Sequence, residues 1–150
     1  MQHSVTYADF TIKRSFKTPV KKLYKMFADQ QSKELWFKGP GDSPTKHQMD
    51  FRVGGSEFNS GQFHDGITHV FKGQYYDIVP NERIVYAYEM YLNNNRISVS
   101  LSTLEFSSKG ENAELVLHEA GVFLDGFDTV ESRERGTKEL LNAVERALNN

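Results

Sequence analysis

The chain has 150 residues, 25% of them charged, and a net charge of −2. This length fits one domain, residues 1–150, with room for a hydrophobic core. The near-neutral charge gives no reason to expect nucleic acid or a membrane surface as a partner. No apolar run is long enough for membrane insertion, no secretory signal is visible, and there is no cysteine. These features favour a cytoplasmic protein, for which we expect no cofactor and no metal.

The aromatic content is high for a chain with few hydrophobic residues. Aromatic residues make up 13% of the sequence, with 11 Phe, 7 Tyr and 1 Trp, while hydrophobic residues reach only 38%. Much of the interior must therefore be built of rings, which are large and, for Tyr and Trp, have a polar tip. The composition fits both a core packed with rings and a cavity lined by them.

The N-terminal third predicts one strand and two short helices. Even spacing of apolar residues predicts a strand at residues 7–16. Thr18 then serves as an N-cap with Pro19 at the first helical position, and a second helical segment is expected at residues 32–37. The glycine- and proline-containing stretch 39–46 is the most loop-like of the chain, and we expect it to cover a pocket mouth.

The middle of the chain predicts a meander of antiparallel strands. Turn signals such as Asp65-Gly66 separate alternating segments at residues 48–52, 56–63, 68–78, 83–92, 97–107 and 113–122. The pair Gly54-Gly55 lies between two such segments, where glycine weakens a strand. It therefore indicates a tight turn or bulge that the backbone requires.

A long helix is predicted at residues 128–148, with Asp128 as its N-cap. Its apolar stripe is Val130, Leu140, Leu141, Val144, Ala147 and Leu148. In the first half, the inward positions hold residues that are small or polar: Arg133, Glu134, Gly136 and Thr137. Such a helix packs firmly at its end, and we expect its first half to leave a gap above the sheet for a ligand.

The order of these elements predicts an α+β helix-grip fold, in which a curved antiparallel sheet wraps around the C-terminal helix. Two short helices follow the first strand. Lipocalin-like barrels lack those helices, and the cone-shaped α+β cavity family opens with helices rather than a strand. The rings expected to face the interior are Trp36, Phe51, Phe58, Phe71, Tyr86, Tyr88 and Phe123.

Two carboxylates fall in the middle of strands, where each must be paired, solvated or functional. Glu119 shares a strand face with Leu115 and Leu117. It is therefore a better candidate than Glu89 for a carboxylate that lines the pocket. Arg96 or Arg133 is the expected partner of such an acid. With Thr137 and the rings named above, Glu119 and Arg133 form the predicted ligand-binding set; no catalytic residue is assigned.

Other polar residues give weaker signals. The histidines at positions 3, 47, 64, 69 and 118 are expected at the surface, because no third ligand with recognisable spacing joins any pair to bind a metal. Ser98, Ser100 and Ser102 alternate with apolar residues, so they either face solvent, the default, or line a hollow. No nucleophile motif or phosphate-binding loop is present.

Four segments together resemble a known family. They are Arg-Ser-Phe-Lys-Thr-Pro-Val at residues 14–20, Leu-Trp-Phe at 35–37, Asp-Phe-Arg-Val-Gly-Gly at 50–55, and the Gly-to-Val stretch at 73–85 with Pro80. In this order they resemble the START-like (SRPBCC) superfamily, in the branch named for the heat-shock protein 90 ATPase activator. The resemblance covers nearly the whole chain and implies the helix-grip fold.

The resemblance indicates the function less specifically than the fold, since one fold hosts many activities. Family members usually carry Gly-Trp where this chain has Gly136-Thr137, and the missing ring should enlarge the pocket. The chain has no room for the second domain that the eukaryotic activator uses, so chaperone contact is not expected. A small hydrophobic molecule is the expected partner, and homodimer formation is left open. The alternatives are a cyclase- or dehydratase-type enzyme using Glu119 and a chaperone-binding module.

Overall fold

The computed structural model describes residues 2–38 and 45–149. They form seven strands and three helices: β1 (Val5–Phe16), α1 (Val20–Ala28), α2 (Gln30–Glu34), β2 (Lys46–Met49), β3 (Ser56–Gln62), β4 (Thr68–Val79), β5 (Arg83–Leu92), β6 (Asn95–Lys109), β7 (Asn112–Leu124) and α3 (Val130–Leu148). The predicted loop at residues 39–46 lies outside the described residues apart from its last two. Its expected role at a pocket mouth therefore stays a prediction.

The strands form one antiparallel sheet in the order β1-β7-β6-β5-β4-β3-β2. Consecutive strands from β2 to β7 are neighbours because short turns join them, whereas β1 pairs with β7 at the far edge. Register shifts interrupt β4 between Tyr75 and Asp77 and β5 between Met90 and Tyr91. Such irregularities bend strands. With α3 against one face, this curved sheet confirms the helix-grip fold.

The glycine pair makes the turn that its position predicts. Gly54 has a φ of 85°, a conformation that favours glycine. A Cβ on Gly55 would lie 2.0 Å from the carbonyl oxygen of Asp50. The backbone of the pair also exchanges two hydrogen bonds with Tyr75, of 2.8 and 2.9 Å, which fasten the turn to β4.

The helices begin at other residues than the capping signals predict. Pro19, not Thr18, is the N-cap of α1, and it provides no side-chain cap. The second helix begins at Gln30 rather than residue 32, because the carboxylate of Asp29 accepts a hydrogen bond of 3.0 Å from the backbone N–H of Ser32. Likewise, the side chain of Thr129, not Asp128, caps α3.

Helix α3 leans toward the β1 edge of the sheet. Leu141 and Val144 are buried in the core shared with β1 and α1. On the same side, Arg14 of β1 donates a hydrogen bond of 2.6 Å to Asn142 and lies 3.4 Å from Glu145. The opposite flank of the helix faces the middle of the sheet, where the cavity described below lies. None of the helices in the described part of the chain is long and apolar enough to cross a membrane.

Candidate functional site

A cavity of about 1150 Å³ lies between α3 and the sheet. Its walls come from α1, the segment around α2, strands β3 to β7 and α3. The helix contributes residues from Ser132 to Ala147, and its C-cap Asn149 also borders the cavity. The sequence predicted a space above the first half of α3 alone, but the cavity runs along most of the helix. Helix α3 packs against β1, so the cavity lies along its other flank, where β4 and β5 supply much of the wall.

One end of the cavity holds a buried polar network, here called the Arg133 cluster: Arg133, Glu119, Tyr88, Ser98, Ser102 and Asp128. Glu119 accepts hydrogen bonds of 2.7 Å from Tyr88 and 3.0 Å from Ser102. Its carboxylate lies 3.5 Å from the guanidinium of Arg133. Alternation along β7 produces this placement, since Leu115, Leu117 and Glu119 point to the same buried face.

Arg133 connects α3 to the sheet within this cluster. It donates hydrogen bonds of 2.9 Å to the hydroxyls of Tyr88 and Ser98, and a third of 3.2 Å to Asp128. Its guanidinium also lies 5.0 Å from the centre of the Phe123 ring. Burial lowers the pKa of Arg133, but interactions with Tyr88, Glu119 and Asp128 outweigh it and raise the pKa. The arginine therefore stays charged and is held by several partners.

A second polar network, called the Lys33 cluster, consists of Lys33, Glu57, His47, Tyr75 and Glu34. Of these, Lys33 and Tyr75 line the cavity, while Glu34 is exposed. Lys33 Nζ lies 2.8 Å from Glu57 Oε1, which also accepts a hydrogen bond from the hydroxyl of Tyr75. The two ring nitrogens of His47 lie 2.8 Å from Glu57 and 3.1 Å from Glu34. The cluster joins α2 to β2, β3 and β4.

Glu57 is the charged centre of the Lys33 cluster. Burial raises its pKa, but the charge of Lys33 and the hydrogen bonds from His47, Lys33 and Tyr75 outweigh burial and lower the pKa to about 2. Burial and the neighbouring Glu57 charge raise the pKa of Tyr75 well above its usual range. At neutral pH the acid is an anion and the phenol is neutral.

The rings of the cavity wall form a continuous set. Phe71 stacks on Tyr88 with ring centres 4.9 Å apart and meets Phe37 edge-on at 5.1 Å. Beside them, Asn59 donates a hydrogen bond of 3.0 Å to the carbonyl oxygen of Phe37. Its own Oδ1 is buried without a hydrogen-bond partner among the described residues. Within the same residues, no three His, Asp or Glu side chains are arranged to hold a metal ion.

The structure separates the predicted ligand-binding residues into two groups. Those along the cavity wall are Trp36, Phe71, Tyr86, Tyr88, Glu119, Arg133 and Thr137. Three others lie elsewhere. Phe51 packs edge-on against Tyr24 and Tyr75 in the core, and Phe123 is buried behind Arg133. The inward orientation expected for Phe58 is wrong, since this ring is 36% exposed.

The positions of the serines and histidines differ from the sequence-based expectation. Along β6, Ser98, Ser100 and Ser102 are buried rather than facing solvent, while Leu101 is 49% exposed on the other face. The serines face inward because Ser98 and Ser102 bind the charged groups of the Arg133 cluster. The surface position expected for all five histidines is wrong for two of them. The side chain of His47 is 3% exposed, and His69 is buried in the cavity wall.

Sequence reasoning missed Lys33, Glu57, Tyr75 and Asn59. A charged residue at the end of a short helix and another in a strand of mostly polar residues resemble surface positions. The alternation along β3 is the one signal in the sequence. Glu57 and Asn59 lie on one face of the strand and Phe58 on the other, and one of these two faces must point inward. The polar face is inward because Lys33 neutralises Glu57.

The fold and the cavity beneath α3 define a helix-grip protein of the START-like class. Within this class, the chain belongs to the family described as Activator of Hsp90 ATPase homolog 1-like protein, whose model matches residues 17–149. No curated protein matches the sequence.

Solved structures similar to this chain agree with the family. An uncharacterized protein from Rhizobium leguminosarum is 36% identical, with a TM-score of 0.94 and 99% of each chain covered. The Mll3558 protein from Rhizobium loti is 34% identical, with a TM-score of 0.88, covering 96% of this chain and 99% of that one. Protein CV1439 from Chromobacterium violaceum, at 23% identity and a TM-score of 0.79, covers 92% and 94% and shows the fold alone.

Proposed function

We propose that this protein binds a small hydrophobic or aromatic molecule in the cavity between α3 and the sheet. The observation that supports this proposal most is the cavity itself, about 1150 Å³ and lined mainly by apolar and aromatic side chains. Pockets for small molecules are typically concave, mostly apolar and furnished with a few fixed polar groups. The Arg133 and Lys33 clusters are such groups, and each is held in place by its own hydrogen bonds.

The position of Thr137 supports the same proposal. Thr137 lies on the cavity wall of α3 and donates a hydrogen bond of 2.8 Å to the carbonyl oxygen of Arg133. Its neighbour Gly136 also lines the cavity, and a Cβ there would meet no atom within 4 Å. Two successive small residues on the helix thus leave space that larger side chains would occupy.

A thermal-shift screen tests the proposal. Lipids, flavonoids and aromatic polyketides are added to the protein and to the variant Thr137→Trp, whose ring fills part of the cavity. A ligand that binds only the folded state raises its melting temperature, so we expect hits with the unmodified protein that weaken or vanish in the variant. The proposal fails if no compound of any class raises the melting temperature.

A second candidate is an enzyme of the cyclase or dehydratase kind. The observation that favours it is the position of Glu119, which is 5% exposed and lies in the cavity wall beside the Tyr88 hydroxyl. A general acid or base must lie within hydrogen-bond reach of a bound substrate. Loss of turnover in Glu119→Gln, with ligand affinity retained, would support this candidate once a reactive ligand is known.

The family description suggests a third candidate, a chaperone-binding module. A pulldown with a heat-shock protein 90 homologue, followed by an ATPase assay, separates it from the binding proposal. Stimulated ATPase activity that persists in Thr137→Trp would favour chaperone contact over cavity binding, because the substitution leaves the outer surface unchanged.

A further inference from the structure

The ammonium group of Lys33 combines features of a ligand-anchoring site. It is buried and lies on the wall of the cavity. Three aromatic rings surround it, with their centres 4.6 Å (Phe37), 5.9 Å (Trp36) and 6.0 Å (Tyr86) from Nζ. Faces of aromatic rings attract a cation but accept no conventional hydrogen bond. The ammonium is thus held at the cavity by three rings and by the carboxylate of Glu57.

The hydrogen-bonding capacity of Lys33 exceeds what its described neighbours use. An ammonium group has three N–H donors, and the one hydrogen bond that Nζ makes to a described residue is the 2.8 Å bond to Glu57 Oε1. A buried donor is more stable with a hydrogen-bond acceptor than without one. An acceptor atom on a molecule in the cavity would meet this need.

The net charge of the Lys33–Glu57 ion pair determines which acceptor group on a ligand is favourable. Glu57 is fixed as an anion by Lys33, by His47 and by Tyr75. The positive charge of Lys33 is therefore already balanced at 2.8 Å. A carboxylate or phosphate on the ligand would be repelled by the Glu57 anion. It would also lose its hydration on entering the cavity, and both the repulsion and the desolvation cost free energy. A neutral oxygen avoids both costs.

We propose that Lys33 anchors the ligand by donating a hydrogen bond to a neutral carbonyl oxygen, so that the cavity selects aromatic ketones or quinones over hydrocarbons and over anions. The inference rests on the proposed binding function. Lys33 would be a specificity-determining residue, with Phe37, Trp36 and Tyr86 contacting the ring system that bears the carbonyl.

Three tricyclic probes of similar size test this proposal: 9-fluorenone with a ketone, fluorene with a methylene group, and fluorene-9-carboxylate with an anion. Their dissociation constants are measured by fluorescence, and the carbonyl stretching band of fluorenone by infrared spectroscopy. We expect fluorenone to bind about tenfold more tightly than fluorene, as for one hydrogen bond from a charged donor partly offset by the greater apolarity of fluorene. The bound carbonyl band should shift to lower frequency.

Variants identify the donor. Lys33→Met alone leaves the Glu57 charge buried without its cation, so the double variant Lys33→Met/Glu57→Gln is used as well. In both we expect the preference for fluorenone and the band shift to disappear. Lys22→Met is the matched control, since this exposed lysine lies on α1 outside the cavity wall, and it should behave like the unmodified protein.

Each remaining outcome overturns a distinct claim. Equal binding of fluorenone and fluorene with an unshifted carbonyl band contradicts the Lys33 inference and leaves the binding function standing. A preference that survives in the double variant assigns the donor to another residue, and tightest binding of the carboxylate contradicts the neutral acceptor. If none of the three probes binds at its solubility limit, the Lys33 inference fails, and the thermal-shift screen decides the proposed function separately.

Discussion

The hydroxyl of Tyr88 donates a hydrogen bond of 2.7 Å to Glu119 across an intervening strand of the sheet. The same hydroxyl accepts a hydrogen bond of 2.9 Å from Arg133 on the helix. One phenol thus joins the helix to the sheet at the cavity, with a buried carboxylate on one side and a buried cation on the other. The helix is held above the sheet by polar contacts here, rather than by apolar packing that would fill the space.

Removal of the Glu119 carboxylate should destabilise the fold strongly. In Glu119→Leu the buried Arg133 loses a neutralising partner, and we expect the free energy of unfolding to fall by about 3 kcal/mol. Urea denaturation provides the measurement. The matched control is Glu89→Leu, which removes a mid-strand carboxylate whose 2.9 Å ion pair with Arg96 is largely solvated, so its effect should stay below about 1 kcal/mol. Equal effects at the two positions would contradict the role given to Glu119.

Because of the Lys33 cluster, the free energy of unfolding should depend on pH in the acid range. The pKa of Glu57 is lowered from 4.5 in the unfolded reference to about 2 in the folded protein. Its stabilising contribution is therefore complete above about pH 4.5 and is lost as the pH falls toward 2.

The variant Glu57→Gln tests this dependence. We expect it to be about 3 kcal/mol less stable than the unmodified protein at pH 7, with the difference shrinking steadily below pH 4.5, as each pKa unit corresponds to about 1.4 kcal/mol. Denaturant titrations at a series of pH values give the curve. A difference that stays constant down to pH 2.5 would show that Glu57 does not titrate as described.

Two glycines should respond oppositely to alanine. Gly136 lies within α3, and a Cβ there meets open space, so Gly136→Ala should stabilise the protein by about 1 kcal/mol through helix propensity. Gly121 lies in β7, where a Cβ would lie 2.3 Å from the carbonyl oxygen of Val99. Gly121→Ala should therefore destabilise the fold. Thermal unfolding of the two variants, side by side, checks the signs, and a destabilised Gly136→Ala would indicate that the cavity wall is closely packed there.

The sequence was sufficient for the architecture because its signals are local. Alternating apolar residues and turn pairs such as Asp65-Gly66 set the strands, and their order restricts the topology to few choices. The predicted helix boundaries are less accurate where another residue provides the cap. Asp29 caps α2 and moves its start to Gln30, two residues before the predicted one.

The candidate site was predictable only in part, because its polar groups are satisfied by distant partners. Glu119 and Arg133 could be proposed, since an acid in an apolar strand needs a cation. Lys33 and Glu57 are 24 residues apart and neutralise one another, a contact that neither segment signals alone. The sequence favours an inward Phe58 because aromatic rings are usually buried, yet the face of β3 that bears Glu57 is the buried one.

Binding in the proposed way requires that the cavity between α3 and the sheet admit a small apolar molecule. Titration with the solvatochromic dye Nile red tests it most directly, in the unmodified protein, in Thr137→Trp, and in Thr11→Trp, which adds the same ring at an exposed position of β1. We expect one blue-shifted dye per chain and unchanged binding in Thr11→Trp. In Thr137→Trp the affinity should fall by about tenfold or more, because the new ring occupies the cavity. Absence of binding, or equal binding by all three proteins, would contradict the proposed binding.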